Sequence, residues 1–224
     1  MASAFLTPLR ATHIRVFSNY LFVARVTHRE AVLSTILKDE ENISANAKEG
    51  DRLSLHELVQ RLDSQSTPPT LEQLNAWLAS AKISTHELRA YIGFKEGNYR
   101  RHRVCRNESV EMLVLCWRPG HKTPIHDHNG SHGVVKVHEG VLWETIFAYD
   151  KDKGLCYQTG RECQVGEVTG AGVPDIHQLG NPEVSGQDLI TIHIYAPPLG
   201  VLKTYKVGSP QIDLYTPDDS DMSA

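Results

Sequence analysis

The residues best suited to chemistry in this chain lie in Gly120-His-Lys-Thr-Pro-Ile-His126-Asp-His128-Asn-Gly-Ser-His132. His126 and His128 are two apart. On a β-strand such a pair points to one face, so two imidazoles can take two positions around a single metal ion. Imidazole suits Fe, Zn, Cu and Ni, and the pair alone does not choose among them. A third histidine from another strand would complete one face of the ion and leave the opposite positions free for chemistry. His177 is the candidate. A lone His-x-His is a weak signal, because short motifs recur by chance. The elements around it must therefore carry part of the argument.

Those elements read as strands. From Tyr99 onward, short β-rich runs follow one another over 99–105, 110–117, 123–129, 132–138, 141–149, 155–163, 174–180, 187–196 and 201–207. Turn residues divide them, among them Gly140, Gly166, Gly170, Gly172 and Asn181-Pro182. Many short strands at this spacing predict an all-β sandwich or barrel. Ahead of them stand three capping boxes, Ser54-Leu-His-Glu57, Thr70-Leu-Glu-Gln73 and Ser84-Thr-His-Glu87. In each, the hydroxyl accepts from an amide of the first turn and the Glu or Gln reaches back to the cap. An apolar stripe follows each one, which predicts three short helices over 53–93, with Pro68-Pro69 between the first two. Thr27-His-Arg-Glu30 is a further candidate cap. Residues 38–50 read as a linker and 209–224 as a polar C-terminal tail.

The composition narrows the function classes. The chain has 224 residues, a formal net charge of −4 and a sequence pI of about 6.3. It has no basic stripe of the kind nucleic acids need, and no apolar run near the roughly 20 residues of a membrane span. Neither nucleic acid nor membrane is expected as a partner, and a monomer is expected. Cys105, Cys116, Cys156 and Cys163 form no CxxC, which fits a reducing compartment. The first 29 residues contain Arg10, Arg15, Arg25 and Arg29 but no acid before Glu30. That composition is similar to an organellar transit peptide; the reading adopted is an N-terminal extension over 1–50 on a cytoplasmic protein.

Wider spacing brings in a family. Gly120, His126-x-His128, Gly133 and Gly140 follow the first cupin motif, with Gly133 where that motif ordinarily has a glutamate ligand. Gly166 and His177-x-x-x-Asn181 match the second, although Gly172 and Pro174 stand in altered places. Further segments are Tyr99-Arg-Arg101, Cys116-Trp117, Ser131-His132, Glu144-Thr-Ile-Phe147 and Thr191-Ile-His-Ile-Tyr-Ala-Pro-Pro198. Together they resemble the cysteine dioxygenase family over residues 53–208.

The resemblance implies a mainly β fold, a cupin barrel (a double-stranded β-helix or jelly roll) over 99–207 with a short N-terminal helical segment, in a thiol dioxygenase domain spanning 51–208. It implies Fe(2+) held by His126, His128 and His177, and three neutral imidazoles leave the ion's double charge free to attract a thiolate. It implies that Arg101, flanked by Tyr99, binds the substrate carboxylate, since a planar guanidinium suits one bidentately. A Thr191–His193–Tyr195 relay is implied beside the metal, with Thr191 in place of the family's serine. The reaction implied is L-cysteine plus O2 giving 3-sulfinoalanine. The alternatives are a 3-mercaptopropionate dioxygenase, whose members usually carry Gln at the Arg101 position, and a non-catalytic cupin that binds a metal or small molecule. Animal members carry a cysteine, cross-linked to the tyrosine matching Tyr195, where this chain has Gly133. The chain is therefore similar to the bacterial-type form that works without the cross-link. His132 has no settled place, His121 and His138 fall outside the ligand pattern, and Trp117 reads as barrel packing.

Overall fold

The chain divides into two units, Met1–Lys48 and Glu49–Ala224. The computed structural model describes residues 52–171 and 175–217, all in the second. The reading of residues 1–29, the Thr27–Glu30 cap and the 38–50 linker lie outside the described residues, as do Gly172 and Pro174.

Three short helices come first: α1 (Leu55–Asp63), α2 (Leu71–Ser80) and α3 (Thr85–Leu88), the last continuing into a 3-10 turn over Arg89–Tyr91. All three predicted capping boxes are present, at Ser54, Thr70 and Ser84. Each satisfies amide groups that the first turn leaves without intrahelical partners. The inward stripe of Leu58, Leu62, Leu74, Leu78 and Leu88 is fully buried. Burying each such leucine contributes about 2 kcal/mol.

Eleven strands follow among the described residues: β1 (Arg100–Arg106), β2 (Glu111–Trp117), β3 (Ile125–Asp127), β4 (His132–Glu139), β5 (Leu142–Asp150), β6 (Gly154–Cys163), β7 (Val168–Ala171), β8 (Ile176–Gly180), β9 (Leu189–Ala196), β10 (Leu202–Tyr205) and β11 (Ile212–Tyr215). They form two antiparallel sheets, ordered β1-β2-β9-β4-β7 and β11-β10-β3-β8-β5-β6. This is the mainly β, cupin-type architecture expected from the sequence. Nine predicted runs fall on nine of the strands. The other two differ from expectation. Val168–Ala171 is too short and glycine-rich to show a strand pattern. Ile212–Tyr215, read as tail, pairs with β10.

Two strands explain how a polar site comes to sit inside the barrel. Every residue of β2 and of β9 is buried, because both faces are covered. Met112, Val114, Cys116, Ile190, Ile192 and Ile194 pack against the helices. Leu113, Leu115, Trp117, Leu189 and Tyr195 join a second core cluster, with Val135, Leu142 and Leu179. The side-chain period of two thus sends Thr191, His193 and Tyr195 to the same inner face. At the β4–β5 turn, Gly140 has φ +82° and lies so close to the Asp188 carbonyl that no Cβ fits. This is why the motif ends in glycine.

Candidate metal centre

β3 carries His126, and His128 follows one residue past its end. β8 carries His177, directly opposite His126 in the antiparallel register. Cross-strand neighbours in such a pair have Cβ atoms about 5 Å apart, so the two imidazoles meet. Ring centroids are 4.9 Å apart for His126–His177, 4.9 Å for His128–His177 and 5.2 Å for His126–His128. All three residues are buried, and one nitrogen from each lies within 4.8 Å of the others.

The chain turns away sharply after His128. Asn129 has φ +46° and Gly130 φ +102°, both in the left-handed region where Asn and Gly are tolerated. Asp127 fixes this turn. Its Oδ1 accepts from the Asn129 amide at 2.9 Å and its Oδ2 from the Tyr205 hydroxyl at 2.7 Å. Asp127 points away from the imidazoles, as the alternation of a strand requires, and serves as the brace between β3 and β10.

The outward nitrogens establish which atoms face the centre. His126 Nδ1 lies 2.9 Å from the Pro124 carbonyl, which can only accept, so this nitrogen carries the proton. His177 Nδ1 lies 3.0 Å from Glu144 Oε1. Glu144 is a carboxylate: despite its burial, the hydrogen bond from His177 and the Arg161 guanidinium hold its pKa below the usual carboxylate range. His128 Nδ1 lies 3.1 Å from Asp175 Oδ2, within ion-pair distance but without hydrogen-bond alignment. The Nε2 atoms of His128 and His177 are left facing one another at 3.3 Å. With their protons on Nδ1, imidazoles so placed would turn two lone pairs toward each other across that gap, an arrangement that a cation between them resolves. Burial and the neighbouring imidazoles drive the His126 pKa well below 6.5, which keeps its lone pair available. The donor set fits a metal ion bound by three nitrogens.

A narrow cavity adjoins the histidines. Tyr99, Arg101, His126, His193, Tyr195 and Tyr215 are among its lining residues. Arg101 is 8% exposed, and no carboxylate among the described residues pairs with it. Arg103, two residues on in the same regular register, is instead engaged by Glu111 at 3.4 Å. Arg103 shares the Arg101 face, as alternation requires, and the β1 bulge comes only after it.

Behind the cavity runs a hydrogen-bonded chain. Thr191 Oγ1 is 2.7 Å from His193 Nε2, and His193 Nδ1 is 2.9 Å from the Tyr195 hydroxyl. Trp117 extends it, its Nε1 donating to Thr191 Oγ1 at 2.9 Å while its ring stacks on Tyr99 with centroids 4.3 Å apart. Trp117 is fully buried, as expected for packing, but its polar atom belongs to the relay. A buried indole N–H needs a partner, and that requirement was the available signal. Burial keeps His193 neutral, with its pKa well below 6.5, and the Arg101 charge adds to this. Burial also pushes the Tyr195 phenol far above its ordinary value, with Arg101 opposing, so Tyr195 holds its proton.

Gly133 lies beside His128 and Tyr195. A Cβ there would come within 3.0 Å of both rings. His132 is not among the residues lining the cavity, and its Nδ1 is buried without a hydrogen-bond partner. His121 accepts from the Arg118 amide in a turn and His138 meets Thr85 at the surface. The four cysteines are free thiols. Burial pushes Cys105 up to about 12 and raises Cys116 and Cys163, which removes them as nucleophiles at neutral pH.

A cupin-type barrel with three buried histidines converging beside a basic cavity defines a protein able to hold a metal ion and a small anion together. The family model for cysteine dioxygenase type I matches residues 38–207, and the chain belongs to that family. Human cysteine dioxygenase type 1 is 29% identical over 132 residues, covering 57% of this chain and 66% of the human protein, just under two-thirds of its length. The Danio rerio protein of that name is 24% identical over 164 residues, covering 68% of this chain and 79% of its own. Two similar solved structures are TT1209 from Thermus thermophilus (18% identity, 49% of this chain and 93% of that one, TM-score 0.42) and a double-stranded β-helix protein from Klebsiella pneumoniae (17%, 53% and 88%, TM-score 0.42). No helix among the described residues is long and apolar enough to cross a membrane.

Proposed function

We propose that the chain is a non-haem iron(II) thiol dioxygenase that converts L-cysteine and O2 to 3-sulfinoalanine, with residues 51–208 as its catalytic domain. The observation that carries this reading is Arg101. It is a buried guanidinium, free of any carboxylate among the described residues, in the same cavity as His126 and Tyr195. A metal site alone fits many activities. A metal site beside a carboxylate receptor fits an amino-acid or acid substrate small enough to touch both.

His126, His128 and His177 would hold the iron through Nε2. Iron(II) bound there supplies redox capacity toward O2 and an electrophilic centre for a thiolate and an amine. Everything else is positioning by the chain. Arg101 donates to the substrate carboxylate and so fixes the direction of the carbon chain. Tyr195 keeps its phenolic proton and presents it to the cavity, because its oxygen already accepts from His193. Leu113, Leu115, Leu179 and Leu202 line the same cavity and limit water around the reacting sulfur. Both atoms of O2 end on that sulfur, which is oxidised from thiol to sulfinate while O2 is reduced.

Oxygen uptake by the iron-loaded protein, offered L-cysteine, 3-mercaptopropionate and cysteamine in turn, tests this. The expected result is uptake with cysteine and one sulfinate, heavier by two oxygen atoms, for each O2 consumed. Preference for 3-mercaptopropionate would reassign the substrate, and absence of uptake with every thiol would leave a metal-binding cupin without this activity.

A further inference from the structure

The three histidines are alike in burial but not in what stands behind them. His126 leans on a backbone carbonyl, and His128 has Asp175 nearby without alignment. Among the described residues only His177 has an aligned carboxylate, Glu144 Oε1 at 3.0 Å from its Nδ1. Glu144 lies on β5, two residues before Ile146, which is the register partner of His177. Residues two apart share a strand face, so Glu144 reaches His177 diagonally across the pair.

Glu144 is itself held from two directions. Its Oε2 accepts from Arg161 Nε at 2.8 Å and from Thr169 Oγ1 at 3.1 Å, with Arg161 Nη2 in ion-pair contact at 2.6 Å. Arg161 Nη2 also contacts Thr169 Oγ1. Arg161 is the cross-strand neighbour of Glu144 on β6, whereas Thr169 belongs to β7 in the other sheet. The carboxylate therefore sits where the sheets meet, with both oxygens committed. Its Glu144–His177 bond is buried, while the Arg161 side chain is 49% exposed.

We infer that Glu144 is the positioning residue of the metal centre: clamped by Arg161 and Thr169, it fixes the His177 tautomer and strengthens that imidazole as a metal donor. A carboxylate accepting from Nδ1–H pins the proton there, aims Nε2 at the other two rings and raises the electron density on the ligand nitrogen. Removing such a partner typically lowers metal affinity about 10–100-fold. The inference rests on the metal-centre reading and is independent of which thiol is oxidised.

The test uses Glu144→Gln, which keeps shape and a carbonyl acceptor but loses the charge. Co(II) affinity of the full chain, measured by chelator competition, should fall about 10-fold, and the Co(II) visible absorption should shift. Arg161→Gln should change both less, since the carboxylate remains on His177. If Glu144 served only to pair with Arg161, the two variants would behave alike, and that outcome overturns the inference. Equal Co(II) affinity and spectrum in Glu144→Gln and the parent also overturns it. A measurement on the unmodified metal-free chain covers a variant that fails to fold. The His177 Nδ1 proton should appear in the imidazole NMR spectrum as a downfield, exchange-protected resonance, and a spectrum with that proton on Nε2 overturns the inference. Failure of the unmodified chain to bind Co(II) or Fe(II) would sink the metal reading itself, a result distinct from all of these.

Discussion

Trp117 Nε1 donates to Thr191 Oγ1 across 2.9 Å, and this bond heads a chain that runs through His193 to Tyr195. An indole N–H can only donate. The Thr191 hydroxyl accepts from it with one lone pair, and its own buried proton has His193 Nε2 as its acceptor among the described residues. His193 then carries its proton on Nδ1 and donates to the Tyr195 oxygen. The Tyr195 proton is left for whatever occupies the cavity. Replacing Thr191 by valine keeps the volume and removes the link, and is expected to lower kcat about 10-fold or more with metal content unchanged. Thr191→Ser should stay close to the parent. Steady-state kinetics alongside metal analysis checks this, and parental turnover in Thr191→Val would remove the relay from the reaction.

The same direction makes a prediction about pH. Burial first, and the Arg101 charge second, hold the His193 pKa well below 6.5. The folded chain thus keeps His193 neutral where the unfolded chain begins to protonate it. The unfolded state binds the extra proton, so the stability from this residue is complete above about pH 6.5 and declines as the pH falls below it. Nitrogen-15 spectra from pH 8 to pH 6 should show His193 protonated on Nδ1 and bare on Nε2 throughout. Titration of His193 within that window would contradict the assignment.

Much of this was legible in the sequence, for a local reason. β-rich runs divided by turn residues located nine strands, and i, i+2 spacing put His126 with His128 and Thr191 with His193 and Tyr195. The Ser54, Thr70 and Ser84 boxes marked three helices because capping involves residues only three apart. What stayed hidden depends on register. The placing of Glu144 behind His177 requires the β5–β8 alignment. The bond from Trp117 to Thr191 requires the β2–β9 alignment, in which Leu115 and not Trp117 is the partner of Thr191. The engagement of Arg103 by Glu111 requires the β1–β2 alignment. Alternation puts Asp127 on the face opposite the two histidines, but its bracing of Tyr205 lies across 78 positions of chain.

Arg101 should discriminate among thiols by their carboxylate. A hydrogen-bonded ion pair in a buried site contributes about 1.5–3 kcal/mol, so Arg101→Gln is expected to lower kcat/KM for cysteine by about 10–100-fold. Cysteamine has the same sulfur and amine but no carboxylate, so its kcat/KM should change little. The measurement is the ratio of the two specificity constants in parent and variant, with iron content determined on the same samples. A ratio that does not move would exclude Arg101 as the carboxylate receptor.

The last wall of the cavity comes from outside the segment that the family model matches, which ends at residue 207. Tyr215 and Pro217 line the cavity together with Leu199 and Leu202. Tyr215 is held there by pairing of β11 with β10, where it stands opposite Leu202. β11 buries little of itself, since Ile212 and Leu214 are exposed, so its contribution falls on the cavity more than on the core. Replacing Tyr215 by alanine removes a ring from the wall and makes room for a larger thiol. One methylene in an apolar pocket discriminates by roughly 1–3 kcal/mol, so the preference for cysteine over homocysteine should fall about 10-fold. Iron content and the thermal midpoint should stay close to the parent's. If the preference is unchanged while both thiols are still oxidised, the substrate does not reach this wall, and selection by size must come from Leu113, Leu115 and Leu179 deeper in the barrel.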